Sequence, residues 1–516
     1  MSSSQAPPNV VLILVDQLAA KWLEVALAGA APLPNLAWLR DNGTTFPNTF
    51  TPNPVCSPAR ASLATGLPAA THGVVECGYR LDPSIPTFMG QLQQAGWRTS
   101  VHGKLHLQPD LETYDPDCHV YGFDHTDITE DVRIGNWLDW VRTEHPEHYR
   151  AACATVWMTM HPALYTAEGA ALRDEIETAQ RDWSWTTEDR PWDTPEAYVL
   201  PFPAQVSQST WITDRFLDFL DELPDGQPFF SQIGYVQPHN PFCAPEALLG
   251  EVDESAIPEP VPAEWRRDPH APHAIREDHG PTGDYDDIAR NARLIYFADL
   301  VHLDHEIGRV RQALVDAGRL DNTYVVFTSD HGELLYDHGL LGKWQRHYDA
   351  CIRVPLVVAG PDVATGATDD RLAELTDLAP TILEWCDVDP PGVPTFDRSG
   401  CRVTHEPSPL HGRSLAGDAT TTGRAAVLIE SYGSHWTNDL SGFARTLRTS
   451  SHRYTLYGDG GQQLFDLRAD PDEQHNLVGD ESSREILEDL RHSLTLALIA
   501  RDRPPRLQSL FARGSW

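Results

Sequence analysis

The chain has little lysine, little methionine and little positive charge. Its 516 residues include three lysines, Lys21, Lys104 and Lys343, against 36 arginines, and only four methionines. Acidic residues number 75 and basic ones 39, for a formal net charge of −36. A field of that sign repels polyanions, so neither nucleic acid nor an anionic membrane surface is expected as a partner. No apolar run approaches the roughly 20 residues needed to cross a bilayer. The first such run, Val10 to Val15, is also too short for the core of a secretion signal. The residues before it carry no basic group, so a cytoplasmic location is expected. Eight cysteines stand at 56, 77, 118, 153, 243, 351, 386 and 401, with no C-x-x-C pair and no zinc-type spacing. That excludes a disulfide framework and points to reduced, mostly buried thiols. Internal repeats and low-complexity tracts are absent.

What is present suits a large globular protein. Hydrophobic residues make up 41% of the chain, with 15 Trp, 15 Tyr and 16 Phe, and 516 residues exceed what one small core organises. Val10–Val15 is a continuous apolar, β-branched run, which predicts a strand buried on both faces. Further strands are predicted at Arg98–His102, Phe229–Val236, Asn322–Thr328 and Val354–Ala359. Helices are predicted at Pro34–Asn42, Arg60–Leu67, Thr87–Gly96, Thr210–Leu223 and, most clearly, Ala289–Gly318. This alternation predicts an α/β fold with a mostly parallel sheet flanked by helices over residues 1–390. Residues 107–200 and 244–290 read as irregular insertions, the first with helices around a substrate entrance, the second as a long loop or lid. Residues 391–425, rich in Pro, Gly and Thr, read as a linker. Residues 426–516 read as a smaller α+β subdomain, with an antiparallel sheet, a helix near 482–500 and a terminal arm. That arm can dock on its own core or hold a homo-oligomer together.

Several polar groups fall where strands are predicted to end, the ligand-binding edge of an open parallel sheet. Asp16-Gln17 closes the first strand and Asp330-His331 a later one. Together they offer oxygen and imidazole ligands for a divalent cation. The oxygen donors suit Ca²⁺ or Mg²⁺, and the imidazole leaves room for Mn²⁺. Two of the three lysines lie in similar places: Lys104 in Gly103-Lys104-Leu105-His106, and Lys343 in a loop after Asp330-His331. A compact ammonium is not replaceable by guanidinium in a tight anion site. His239, between two prolines, follows another predicted strand. Cys56-Ser57-Pro58-Ala59-Arg60 places a cysteine at or just before a helix N-terminus, where backbone amides and the dipole favour an anion. About 0.04 such C-x-P-x-R matches are expected by chance in this composition, so the motif needs that context.

With it, the chain resembles the formylglycine-dependent sulfatases of the alkaline-phosphatase-like superfamily. Arg60-Ala61-Ser62-Leu63 with Thr65-Gly66 continues their signature. Leu303-Asp304 with Ile307-Gly308 is similar to their long helix. Leu464-Phe465-Asp466-Leu467, followed by Asp470-Pro471, Glu473 and Asn476-Leu477, is similar to a C-terminal family segment. The resemblance runs from residue 9 to about 480. It implies that Cys56 is oxidised by a formylglycine-generating enzyme to Cα-formylglycine, whose hydrate attacks the sulfur of a sulfate monoester. Its second hydroxyl then allows sulfate to be expelled, which a serine could not do. It further implies that Asp16, Gln17, Asp330, His331 and the group derived from Cys56 hold one divalent cation, Ca²⁺ first, with Mn²⁺ or Mg²⁺ as alternatives. Arg60 holds the hydrated aldehyde. Lys104 and His106 contact diol and sulfate, with His106 as the base for elimination. His239 protonates the leaving oxygen, and Lys343 binds sulfate. The family often has a carboxylate where Gln17 stands. A phosphonate monoester hydrolase or phosphodiesterase on the same scaffold is the alternative, although those enzymes usually carry uncharged hydroxyl side chains at the positions of Lys104 and His106. The acidic surface favours a small aryl or alkyl sulfate over a long polysulfated glycan, and choline sulfate is a further option.

Overall fold

The computed structural model describes residues 6–109, 116–157, 162–276, 287–396, 403–407, 411–417, 423–433 and 440–501. Eight strands form the central sheet. In chain order they are β1 (Asn9–Val15), β2 (Thr44–Thr45), β3 (Arg98–Gly103), β4 (His125–Ile128), β5 (Phe229–Gly234), β6 (Thr323–Ser329), β7 (Leu356–Ala359) and β8 (Ala367–Thr368). Their spatial order is β8-β2-β7-β6-β1-β5-β3-β4. The five strands from β6 to β4 run parallel, and β7 is antiparallel to β6 and β2. The expected mostly parallel sheet is therefore present.

β1 shows why. Val11, Ile13 and Val15 enter one buried apolar cluster, and Val10, Leu12 and Leu14 enter another on the opposite face. Burying six aliphatic side chains supplies on the order of 10 kcal/mol before chain entropy is subtracted. A strand apolar on both faces has no stable place except the middle of a covered sheet. Helices α1 (Pro34–Asp41), α4 (Gln208–Glu222) and α5 (Asp287–Asp316) cover the first face. Helices α2 (Cys56–Thr65), α3 (Phe88–Gln94) and α6 (Leu378–Trp385) cover the second. Asp304 on α5 accepts the backbone N–H groups of Asn35 and Leu36 and so caps α1. A Cβ on Gly308 would stand 2.6 Å from the Asn35 side chain, so only glycine lets the two helices approach this closely.

The insertion at 107–200 contains helices at Asn136–Glu144, Tyr149–Ala154 and Ala170–Asp182. Trp137, Val141, Ile176 and Ala179 join the first core, so helices do stand in this insertion. In the segment expected to be a loop or lid, Val261 N–H donates to Asp337 and the Trp265 indole donates to the His338 carbonyl. Within 391–425, Gly392–Phe396 and Val403–Pro407 pair as an antiparallel hairpin, where the sequence suggested only a linker. A separate four-stranded antiparallel sheet consists of Ala426–Tyr432, Phe443–Thr449, His452–Tyr457 and Gln462–Asp466. Helix α7 (Arg484–Arg501) packs Leu487, Leu490 and Leu494 on one face of it. Val427, Ile429 and Phe465 turn the other way, onto Leu334, Leu340 and Tyr348. The terminal arm, Cys401 and residues 277–286 lie outside the described residues. The seven described cysteines are free thiols, and no helix among the described residues is long and apolar enough to cross a membrane.

Candidate active site

The carboxyl ends of β1, β3, β5 and β6 and the N-terminus of α2 converge. Cys56 is the first residue of α2, after an extended Val55, and is 1% exposed. Asp16 follows β1, and Gln17 turns the chain with a left-handed φ of 67°. Gly103 (φ +90°) and Gly234 allow β3 and β5 to close together. A Cβ on Gly103 would lie 2.1 Å from the Gly234 carbonyl oxygen, and one on Gly234 would lie 2.1 Å from that of Lys104. That crossing turns the Lys104 side chain inward.

The ligand atoms of Asp16, Cys56, Asp330 and His331 lie within 4.8 Å of one another. His331 Nδ1 is 2.9 Å from the Gly332 carbonyl oxygen, so this nitrogen carries the proton. Nε2 lies 3.2 Å from Cys56 Sγ and is the nitrogen that neutral His331 would offer to a metal. Gln17 donates through Nε2 to Asn240 and Glu333, while its Oε1 is buried without a hydrogen-bond partner. An orphan amide oxygen beside two carboxylates and an imidazole fits a hard or borderline divalent cation. When bound, such a cation would neutralise the non-bridging oxygens of an anionic ester.

Three buried cations surround the same point. Arg60 Nε donates to Asp330 Oδ2 at 2.7 Å and a terminal nitrogen donates to the Lys104 carbonyl at 2.9 Å. Lys104 Nζ is 2.7 Å from Asp16 Oδ2. Lys343 Nζ lies 2.7 Å from Cys56 Sγ, 3.0 Å from His239 Nε2 and 3.1 Å from His331 Nε2. The electrostatics follow. Burial pushes the Cys56 thiol up, but a hydrogen bond with Cys77 and the charges of Lys104, Lys343 and His331 outweigh it and hold it well below the usual thiol range. Burial also raises Asp16, and Cys56 adds to this, yet Lys104, His239 and Arg60 leave it lowered. Burial lowers Lys104, while Asp131 and Asp16 more than restore it.

All ten residues singled out from sequence meet here. His106 lies within 4.8 Å of Cys56 and of the carboxylates Glu130 and Asp131. The Trp157 ring packs edge-on against His239 at 5.4 Å. Five neighbours were not anticipated: Cys77, Glu130, Asp131, Asn240 and Glu333. Glu130 accepts the Leu105 and His106 N–H groups and so fixes the loop carrying His106. Asp131 Oδ2 is 3.0 Å from Lys104 Nζ and 3.9 Å from His239 Nε2. Glu130-Asp131 directly follows the strand region of β4, so the strand-end rule applied to His125–Ile128 would have found both.

Asp131 therefore links Lys104 to His239. In Asp131→Asn, kcat should fall about 10- to 100-fold, the acid-base share of catalysis being of order 10²–10⁴. An unchanged kcat would show that this link takes no part in the reaction.

The chain is similar to known proteins along nearly its whole length. The family model described as Sulfatase matches residues 8–388, and that described as N-sulphoglucosamine sulphohydrolase, C-terminal, matches 336–499. An arylsulfatase of Clostridium perfringens is 27% identical over 514 residues, covering 96% of this chain and 95% of the relative. A choline-sulfatase of Rhizobium meliloti is 27% identical, covering 91% and 82%. The crystal structure of a phosphonate monoester hydrolase of Agrobacterium radiobacter superposes with a TM-score of 0.74 at 22% identity, covering 96% of each chain. At that identity the likeness shows the alkaline-phosphatase-like fold. The family match spans the central sheet, helix α2 and the ends of β1 and β6, and the chain is an enzyme of the sulfatase family.

Proposed function

We propose that the enzyme hydrolyses the sulfate monoester of a small aryl or alkyl alcohol, with formylglycine formed from Cys56 and one divalent cation in the Asp16, Gln17, Asp330 and His331 set. The observation that carries this reading is the trio Arg60, Lys104 and Lys343, gathered in full burial around the Cys56 side chain. Fixed positive charge of that density suits a compact sulfate held against the nucleophile. The hydrated formylglycine supplies the attacking hydroxyl and, through its second hydroxyl, the means of releasing sulfate.

The protein's own groups do the rest. Lys343 bridges nucleophile and His239, so it contacts the transferring group and orients the acid. His239 donates the proton to the departing oxygen, and Trp157 forms an apolar wall on that side, which suits an aryl or alkyl leaving group. His106, beside Cys56, takes the proton during elimination. Phosphonate monoester hydrolysis is the second reading, supported by the fold shared with that hydrolase. Lys104 and His106 favour the sulfate ester.

The test is mass spectrometry of the peptide containing Cys56, from protein made with a formylglycine-generating enzyme, together with parallel assays on an aryl sulfate and an aryl phosphonate monoester. Conversion should lower the peptide mass by about 18 Da relative to cysteine, and kcat/KM should be higher for the sulfate. An unmodified thiol in active enzyme would overturn the formylglycine mechanism. A reversed preference would install the phosphonate reading.

A further inference from the structure

A second group of metal-type ligands lies on the edge of the sheet, away from Cys56. His102 on β3 is paired in register with Asp127 on β4, and His125 precedes Asp127 by two residues, so all three project from one face. Their ligand atoms lie within 4.8 Å of one another. Asp127 Oδ2 is 2.9 Å from His102 Nδ1 and 2.8 Å from His125 Nε2. The His102 side chain is fully buried, while those of His125 and Asp127 are 33% and 23% exposed, so the group opens to solvent on one side.

The hydrogen bonding behind His102 is informative. Ser100 Oγ donates to Ser231 Oγ at 2.9 Å. It is therefore free to accept from His102 Nε2, 3.1 Å away. With Nε2 turned to Ser100, His102 presents Nδ1 to Asp127 Oδ2. Nδ1 of His102, Nε2 of His125 and the Asp127 carboxylate thus converge on one point at the solvent-open side of the group. This serine behind a histidine, with a carboxylate in front, is the outer-shell pattern that orients metal-bound imidazoles. Phe216 and Phe219 wall the site, with ring centroids 5.9 and 5.5 Å from His102. Glu222 lends negative charge near His125, while Arg98 and Arg215 oppose it.

We infer that His102, His125 and Asp127 form a second metal site, selective for a borderline divalent ion such as Zn²⁺ and distinct from the site at Cys56. Two imidazoles and one carboxylate with an open fourth position are a familiar zinc set. Tetrahedral ligands around zinc stand about 3.3 Å apart, so the two short contacts need to open by only about half an ångström. The ion would clip edge strand β4 to β3. From there the chain runs directly to Lys104 and to Glu130-Asp131, so the clip would brace that side of the catalytic centre. This inference does not depend on the proposed reaction.

The test is equilibrium dialysis of the purified holoenzyme against micromolar Zn²⁺, with Ca²⁺ and Mg²⁺ in large excess, followed by metal counting. Wild type should retain one more zinc per chain than His125→Ala or Asp127→Asn. His125 is partly exposed, so its replacement leaves the core intact, and circular dichroism checks this. Zinc should also raise the Tm of wild type and not of His125→Ala. Co²⁺ should give the visible absorption of a tetrahedral site in wild type alone. Equal zinc counts in wild type and both variants would overturn the inference and leave a proton-linked His–Asp–His cluster.

Discussion

Cys56→Ser should lower turnover of an aryl sulfate by on the order of 10³-fold or more, with Tm within a few degrees of wild type. The two outcomes separate chemistry from folding. Serine has nearly the volume of cysteine, and all ten residues of α2 are buried, so the packing that holds the helix is kept. The environment around it was built for an anionic oxygen or sulfur. Lys343 Nζ is 2.7 Å from Sγ, and His331 Nε2 is 3.2 Å away. A serine hydroxyl can occupy that position and attack once. It lacks the second hydroxyl through which formylglycine expels sulfate, so the variant should also accumulate an adduct of about 80 Da on the Cys56 peptide, the mass of SO₃. Steady-state assay with intact mass spectrometry checks both. Turnover close to wild type would place the nucleophile elsewhere.

The parts of this site legible in the sequence were those fixed by local pattern. A β-branched run ending in Asp16, a second ending in Ser329-Asp330-His331 and a helix predicted over Arg60–Leu67, which the structure starts at Cys56, each carry their own signal. A parallel sheet then brings their ends together, because β6, β1, β5 and β3 are neighbours. What was illegible depends on contacts between distant segments. Asp131 sits in a stretch whose composition reads as irregular, and its value comes from Lys104 and His239 lying beside it. Cys77 has no motif, and it matters only because the turn after α2 returns it to Cys56. The strand pair Gly392–Phe396 and Val403–Pro407 was missed for another reason. Pro and Gly lower intrinsic strand preference, and the two segments form strands by pairing with each other. His338 lies in the same loop as Lys343. It stacks on Tyr348 at 3.8 Å between centroids and belongs to the seam with the C-terminal sheet.

Acid should destabilise the fold steeply, starting well above the pH at which carboxylates titrate. Burial holds His72 and His338 down to about 3 and His302 to about 4. It also lowers His102, His347 and His411. Neutral imidazole is built into these positions. His72 Nδ1 accepts the Val74 N–H, and its Nε2 faces Ser62 Oγ on α2 at 2.9 Å. His347 is held between Thr446 and Ser431, each 2.7 Å away. In the unfolded chain the same side chains protonate near 6.5. Below that pH the unfolded state binds more protons than the folded one, so stability falls as pH falls and is recovered above it. At pH 5.5, each of His72, His302 and His338 costs about 1.4 kcal/mol, roughly 4 kcal/mol for the three. That is a large share of a typical stability of 5–15 kcal/mol. His331 and His125 are raised in the fold and act in the opposite sense, each stabilising below 6.5 and losing that contribution as pH rises through its folded value. Asp377, raised to about 6, and Asp299, raised well above the usual carboxylate range by burial, also stabilise the fold as pH falls, so the net drop is smaller than the histidine sum. Urea unfolding at pH 7.5 and 5.5 should therefore show a clear drop in midpoint, and His72→Asn should lose part of the pH dependence. A midpoint unchanged between the two pH values would mean that these histidines are protonated in the folded enzyme.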